Sequence, residues 1–250
     1  MGEITLKTSL CLLTLLVTLA VLETPYCHAA AIVAPSPSLS PEVASLMQEY
    51  WDWTLSSSPE YSTFFGIHDN DHLLDDMSLA GYQSRYDQFK EFHKQAVALQ
   101  ANYTSPYDSV NLRALVAEFE NYLDSFYYER YLTPLSYLGG IHSDFSDGLS
   151  YMLTDKLDDY KKILSRIHAF PTQIEQVGEL LRIGVSKGIV MHNISMKGVV
   201  DEIGGHVVDK AEDSPFWEHF SNITTPDATA EGIEEIQKTA RSIILDEEKT

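Results

Sequence analysis

From residue 40 onward, apolar residues return at three- and four-residue steps along most of the chain, and that period predicts helices. Ser40, Pro41 and Glu42 make a helix start, and Val43, Leu46, Met47, Tyr50 and Trp53 follow as one stripe that Ser56-Ser57-Ser58-Pro59 closes. Glu60 to Met77 reads as irregular, with a turn-forming run at His68-Asp-Asn-Asp-His72. Ser78 opens a second helix with Leu79, Tyr82, Tyr86, Phe89, His93, Ala96 and Leu99 on one face. The third, from about Ser109 to Tyr131, carries Leu112, Leu115, Val116, Phe119, Leu123, Phe126 and Tyr127. Leu132 to Ser150, with Pro134, Gly139-Gly140 and Gly148, reads as a loop. A fourth helix (Leu157, Tyr160, Ile163, Leu164, Ile167) is closed by Pro171, and a fifth (Ile174, Val177, Leu181, Val185) stops at Gly188. Met196, Val199, Val200 and Ile203 mark a sixth, which Gly204-Gly205 ends. In the last segment Thr225 is the expected cap, before the face Ile233, Ile236, Ala240, Ile243 and Ile244. No stretch alternates with period two. The expected fold is all-α, an irregular assembly of six to seven helices.

The two ends change this picture. Leu10 to Leu22 is thirteen residues without a charge, which suits a signal peptide better than a spanning helix of roughly 20 residues. Pro25 and an Ala29-Ala30-Ala31 cut site complete the pattern, so residues 1–31 read as a signal peptide and 32–40 as a Pro/Ser-rich spacer. An uncleaved signal anchor, making a membrane protein, is the rival. At the other end Leu245 to Glu248 still suit a helix, and Glu247 and Glu248 would oppose its dipole if it stopped there. The helical domain over 41–250 is therefore expected to continue past Thr250.

Cys11 and Cys27 both precede the cut, which leaves a chain with no thiolate and no disulfide. Asn102, Asn193 and Asn222 head N-x-S/T sequons; beside a signal peptide they point to glycosylation in the secretory-pathway lumen or outside the cell. The whole chain carries a formal charge of −20, and −19 once Glu3, Glu23 and Lys7 of the signal are removed. That surface disfavours nucleic acid and anionic lipid, so neither is an expected partner, and no membrane association is expected after signal cleavage.

Candidate chemistry is sparse. His68 and His72 with neighbouring aspartates suggest a metal site, but the Asp-Asn-Asp between them favours an acidic turn. Gly184-Val-Ser186-Lys-Gly188 matches a nucleophile elbow, which needs a strand before it; a helical pattern precedes it here, so it reads as a helix end. Adjacency of His142-Ser143-Asp144 is not triad geometry. Tyr122, Tyr127, Tyr128, Tyr131 and Tyr137 read as core and core edge, with a cleft lining as the alternative, and His93 as a packing residue. No catalytic residue and no metal ligand is assigned.

The order of segments carries a resemblance. Ser58-Pro-Glu-Tyr-Ser-Thr63, Gly66-Ile-His68 and Leu73-Leu-Asp-Asp-Met-Ser78 resemble the opening motif of the domain of unknown function 885 family. Pro134 with Gly139-Gly140, Asp158-Asp-Tyr160 through Leu164-Ser-Arg166 and Phe170-Pro171, Gly184 with Gly188, Gly198 through Ile203, and Ser214-Pro-Phe216 are similar to its later segments, in the same order. The similarity covers most of Leu46 to Ile244. It implies the N-terminal portion of a larger helical zinc metallopeptidase-like domain. The catalytic helix of that family, His-Glu-x-x-Pro-Gly-His-His with a later Glu-Gly-Trp, lies downstream and is absent from these residues. The implied role is thus one wall of a peptidase cleft that helps choose a peptide substrate. Zinc is expected only in the full-length parent, and the isolated chain is expected to be inactive. A secreted, non-enzymatic helical binding protein is the second reading.

Overall fold

The structure is a computed structural model that describes residues 38–102 and 105–247. The expected signal peptide and the expected spacer up to residue 37 lie outside the described residues, as do the last three positions of the chain. From Leu39 onward the chain is one compact unit. Its helices are α1 (Pro41–Ser57), α2 (Pro59–Phe64), α3 (Leu79–Gln100), α4 (Pro106–Tyr127), α5 (Ile141–Leu149), α6 (Leu157–Lys187), α7 (Val199–Gly205), α8 (Glu218–Ser221) and α9 (Ala230–Glu247). Short 3-10 turns fall between several of them, and among the described residues there is no strand. The all-α expectation holds.

Two cores sit side by side. The first joins α1, α3 and α4 through Val43, Leu46, Phe89, Phe92, Leu112 and Phe119. It is strongly aromatic: Tyr50 meets Phe119 edge-on at 4.9 Å, and Phe89 stacks on Tyr122 at 3.9 Å. Each such ring pair adds about 0.5–1.5 kcal/mol beyond simple burial. Ser40 does not cap α1 with its side chain; its hydroxyl and amide instead bind the Asp108 carboxylate of α4, at 2.5 and 2.9 Å. Those hydrogen bonds hold the Asp108 carboxyl below its usual range. By contrast, Ser78 caps α3 as expected, accepting from the Gly81 amide at 3.0 Å.

The second core packs α5, α6, α8 and α9 around Phe145, Ile163, Ile167, Phe216, Phe220 and Ile244. Here the chain corrects several expectations. Pro171 does not close a helix: α6 runs 31 residues through it. A proline inside a helix forfeits one hydrogen bond and crowds the carbonyl four residues back, at a cost of about 3 kcal/mol. Burial of Ile163, Leu164 and Ile167 before it and Val177 and Leu180 after it anchors both halves. Phe170 stacks face to face on Phe145 at 3.7 Å, which holds the chain at the proline itself. Gly139-Gly140 and Gly148 hide α5, whose Ile141, Phe145 and Leu149 fall on one face inside the expected loop. Likewise α2 occupies ground read as irregular, and the sixth expected helix resolves into a 3-10 turn, Asn193–Met196, and then α7.

Thr225 and Asp227 do not start the last helix. The Asp227 carboxylate accepts from the Thr225 hydroxyl at 2.7 Å and from the Leu157 amide at 3.1 Å, so it closes the start of α6. Thr229 takes the capping role for α9, accepting from the Gly232 amide at 3.1 Å. Gly188 ends α6 as expected. Its φ of +73° lets the Ile189 amide reach the Gly184 carbonyl at 2.8 Å and its own amide reach Val185 at 3.1 Å, a Schellman closure.

Candidate functional site

One face of α6 is wired to α2 and to the turn after it. Arg166, only 2% exposed, donates from Nε to the Leu73 carbonyl at 2.9 Å. Its Nη2 donates to the Pro59 carbonyl at 3.1 Å and to the Thr63 hydroxyl at 2.6 Å. Thr63 in turn donates to Asp71 at 2.7 Å, and the other Asp71 oxygen lies 2.9 Å from His68 Nδ1. Two turns further along, Gln173 donates to Glu60 at 2.8 Å and to the Asp75 carbonyl at 3.2 Å. Glu60 and Asp75 clasp each other through backbone amides, at 3.1 and 3.0 Å.

Electrostatics follow from this wiring. Burial, and then the neighbouring charge of Glu60, pushes the Asp75 carboxyl up to about 6. Burial also pulls the Arg166 guanidinium down, against the pull of Asp71, Glu60 and Asp75. The residues that carry the motif resemblance (Pro59, Glu60, Thr63, His68, Asp75 and Arg166) therefore meet in one buried polar hub. The acidic turn expected at His68 to His72 is what the hydrogen bonds build, with His68 bound to Asp71 and His72 facing solvent. Among the described residues no group of three or more histidine, aspartate, glutamate or cysteine side chains is placed to hold a metal ion.

The neighbouring face of α6 borders a cavity of about 390 Å3 that α5 and α7 also line. Its walls are almost wholly apolar, with Phe145, Phe170, Ile174, Val177 and Phe216 prominent, and Pro171 shapes its floor. Ile174, Ile203 and Val207 are exposed at its edge. Two histidines stand in the wall. His206 Nε2 donates to the His142 carbonyl at 2.8 Å, which fixes its tautomer, and stacks on Phe216. His142, nearly buried, lies 3.2 Å through Nε2 from the Glu202 carboxylate. Neither Ser143 nor Asp144 joins this pair. Ser143 donates to Asp144 at 3.0 Å, and Asp144 accepts from the Gly140 amide at 3.1 Å, so they only shape the start of α5.

The remaining sequence candidates separate cleanly. Ser186 lies in the last turn of α6 and donates to the Ile183 carbonyl at 2.7 Å, an ordinary helix-end hydroxyl. His93 Nε2 is 3.4 Å from Glu120 across α3 and α4. Of the tyrosines, Tyr127, Tyr128 and Tyr137 are exposed. Tyr122 and Tyr131 take the cleft-lining role instead: with Tyr82 they line a recess of about 260 Å3, and Tyr82 and Tyr122 also border a second of about 230 Å3. Asn102, Asn193 and Asn222 all lie at the surface.

The burial of Arg166 and Asp75, and the cavity-lining Phe145, escape the sequence reading. An arginine inside a helical pattern looks solvated, and the α5 stripe is only three residues long. The i, i+4, i+8 spacing of Ile141, Phe145 and Leu149 was the available signal.

No curated protein matches the chain. The profile of a family described as "Bacterial protein of unknown function (DUF885)" matches residues 59–247, from the first residue of α2 to the last of α9. That span takes in the polar hub, the cavity and the recess of Tyr82, Tyr122 and Tyr131, but not Tyr50 and Trp53 in the wall of the other recess, and the chain belongs to the DUF885 family.

Proposed function

We propose that this chain is the N-terminal helical part of a secreted, glycosylated, zinc-dependent peptidase, and that its apolar cavity receives a hydrophobic side chain of the peptide substrate. The observation that carries the reading is the cavity itself: about 390 Å3, walled by aromatic and aliphatic side chains and edged by exposed Ile174, Ile203 and Val207. Its size falls in the range of small-ligand pockets, and its few polar neighbours suit a side chain held by shape rather than by charge. Zinc and the attack on the peptide bond belong, in this reading, to the His-Glu segment of a longer parent. Surface placement of all three sequon asparagines is compatible with glycan attachment.

Calorimetric titration of the chain secreted from eukaryotic cells, using capped dipeptides, tests the cavity. Phe- or Leu-containing peptides should bind at least tenfold tighter than Gly-Gly. Gly178→Leu, which extends a side chain from the cavity wall, should remove that preference. Equal binding of all peptides, or none, overturns the assignment. N-terminal sequencing should begin at Ala30 or Ile32, and glycosidase treatment should lower the mass. Chelator-sensitive hydrolysis is expected only of a longer parent that carries the His-Glu segment.

A further inference from the structure

We propose that the recess between α1, α3 and α4 binds an alkylammonium group, with Asp75 as its counter-ion and the rings of Tyr50, Trp53, Tyr82 and Tyr122 as its walls. The inference stands on the polar hub and the aromatic core, and not on the peptidase reading.

The recess holds about 230 Å3 and is bordered by those four rings, Phe89, Met77, a few hydroxyl groups, the Arg85 side chain and a single carboxylate, that of Asp75. Rings attract cations through their negative faces, and an aromatic enclosure with one carboxylate suits an organic cation better than a neutral or anionic guest. The wall already shows this preference: the Arg85 guanidinium sits 4.6 Å above the Tyr82 ring. That arginine is engaged elsewhere through Nη1, which donates to the Asp76 carbonyl at 2.8 Å.

Charge points the same way. Glu60, Asp71 and Asp75 surround one buried cation, Arg166, and that guanidinium is bound to the Leu73 and Pro59 carbonyls and to Thr63 rather than to a carboxylate. On the side that faces the recess the Arg85 charge also acts on Asp75, but its Nη1 donates to the Asp76 carbonyl, which leaves the Asp75 carboxylate open to a further donor. Burial pushes the Tyr50 and Tyr82 phenols up, so both rings stay neutral at physiological pH and no phenolate competes for the role of anion.

Hydrogen bonding favours a primary ammonium. Asp75 Oδ1 accepts from the Glu60 amide at 3.1 Å, and a carboxylate has room for several further donors. The Tyr122 hydroxyl, in the wall shared by the two recesses, is buried without a partner, and a bound ammonium would supply the donor it lacks. A lysine side chain and a peptide amino terminus both present this group.

The test is calorimetric titration of the secreted chain at neutral pH with butylammonium as probe and 1-butanol as its neutral counterpart. Nα-acetyl-lysine amide and alanine amide then separate side chain from amino terminus. The expected result is binding of butylammonium at least tenfold tighter than butanol. Asp75→Asn should reduce it at least tenfold with the helical circular dichroism unchanged. Ser57→Phe, which fills the recess from its edge, should abolish it even if the Asp75 variant fails to fold. Equal binding of the alcohol, undiminished binding by both variants, or no binding of butylammonium would overturn the proposal.

Discussion

Helix α6 presents two opposed kinds of interior. Toward α2 it buries Arg166 and Gln173, whose donors meet Leu73, Pro59, Thr63, Glu60 and Asp75. Toward α5 and α7 it offers Ile174, Val177 and Pro171 to a cavity that side chains do not fill. The polar side is closely specified, because Arg166, Thr63, Asp71, Glu60 and the Gln173 amide nitrogen each have specific partners, and removing one strands the others in a low dielectric. The apolar side is under-filled and opens at its edge, and its van der Waals contacts prescribe no particular partner. A helix can thus be fixed in position along one face and left open along a neighbouring one. In the proposed reading as a cleft wall, the hub would set where the wall stands and the cavity would set what it accepts.

The sharpest way to break this comparison is to remove the arginine. Arg166→Ala should destabilise the chain by about 3–5 kcal/mol in urea denaturation, because three acceptors and the surrounding carboxylates lose their cation. A loss below 1 kcal/mol would mean that the hub does not hold α6 in place.

Asp75 probes the same side through pH. Its folded carboxyl titrates at about 6, above the unfolded value near 3.8, so the folded chain holds the proton more tightly. Stability from this group is fully present below the unfolded value and is lost as pH rises through about 6. Asp75→Asn keeps an oxygen for the Glu60 amide and removes the charge. It should raise stability at pH 7 by roughly 2 kcal/mol and flatten the slope between those values. Chemical denaturation across that range reads both.

The end of α6 separates packing from chemistry. A Cβ at Gly184 would meet the Ile189 carbonyl at 2.6 Å and the Leu132 carbonyl at 3.0 Å. Gly184→Ala should therefore cost about 1–2 kcal/mol by thermal melting, while Ser186→Ala should change stability by less than about 0.5 kcal/mol. The smallest informative change on the cavity side is Pro171→Ala. Restoring a helical amide should stabilise by about 1 kcal/mol, and weaker peptide binding at higher stability would show that the proline serves the cavity.

Much of the hub was written in the sequence without being legible there. Pro59, Glu60, Thr63, His68 and Asp75 stood out as a motif, and their order identified the family, yet nothing in that order says that they converge on a residue more than 90 positions away. Arg166 looked like the polar side of an amphipathic helix because pattern reading assigns charges to solvent, and the burial that contradicts it comes from α2. Ser40 stands at a helix start as its sequence context predicts, but its hydroxyl donates to the charged Asp108 carboxylate of α4 instead of accepting from the first amides of α1. Pro171 was read by its local cost, which long-range packing on both sides outweighed. The tyrosines divided according to which neighbour each met: Tyr122 and Tyr131 at recesses, Tyr127 and Tyr128 at the surface.

By itself the sequence determined what depends on near neighbours: the helical period, the Ser78 cap, the Gly188 stop and the absence of any strand pattern. These rest on backbone geometry and side-chain spacing, which are fixed within a few residues. Only the tertiary structure decided which polar groups are buried, where α6 passes through its proline, and where the cavity and recesses open. Those outcomes are settled by contacts between segments distant along the chain, whose energies of several kcal/mol exceed the local preferences they override.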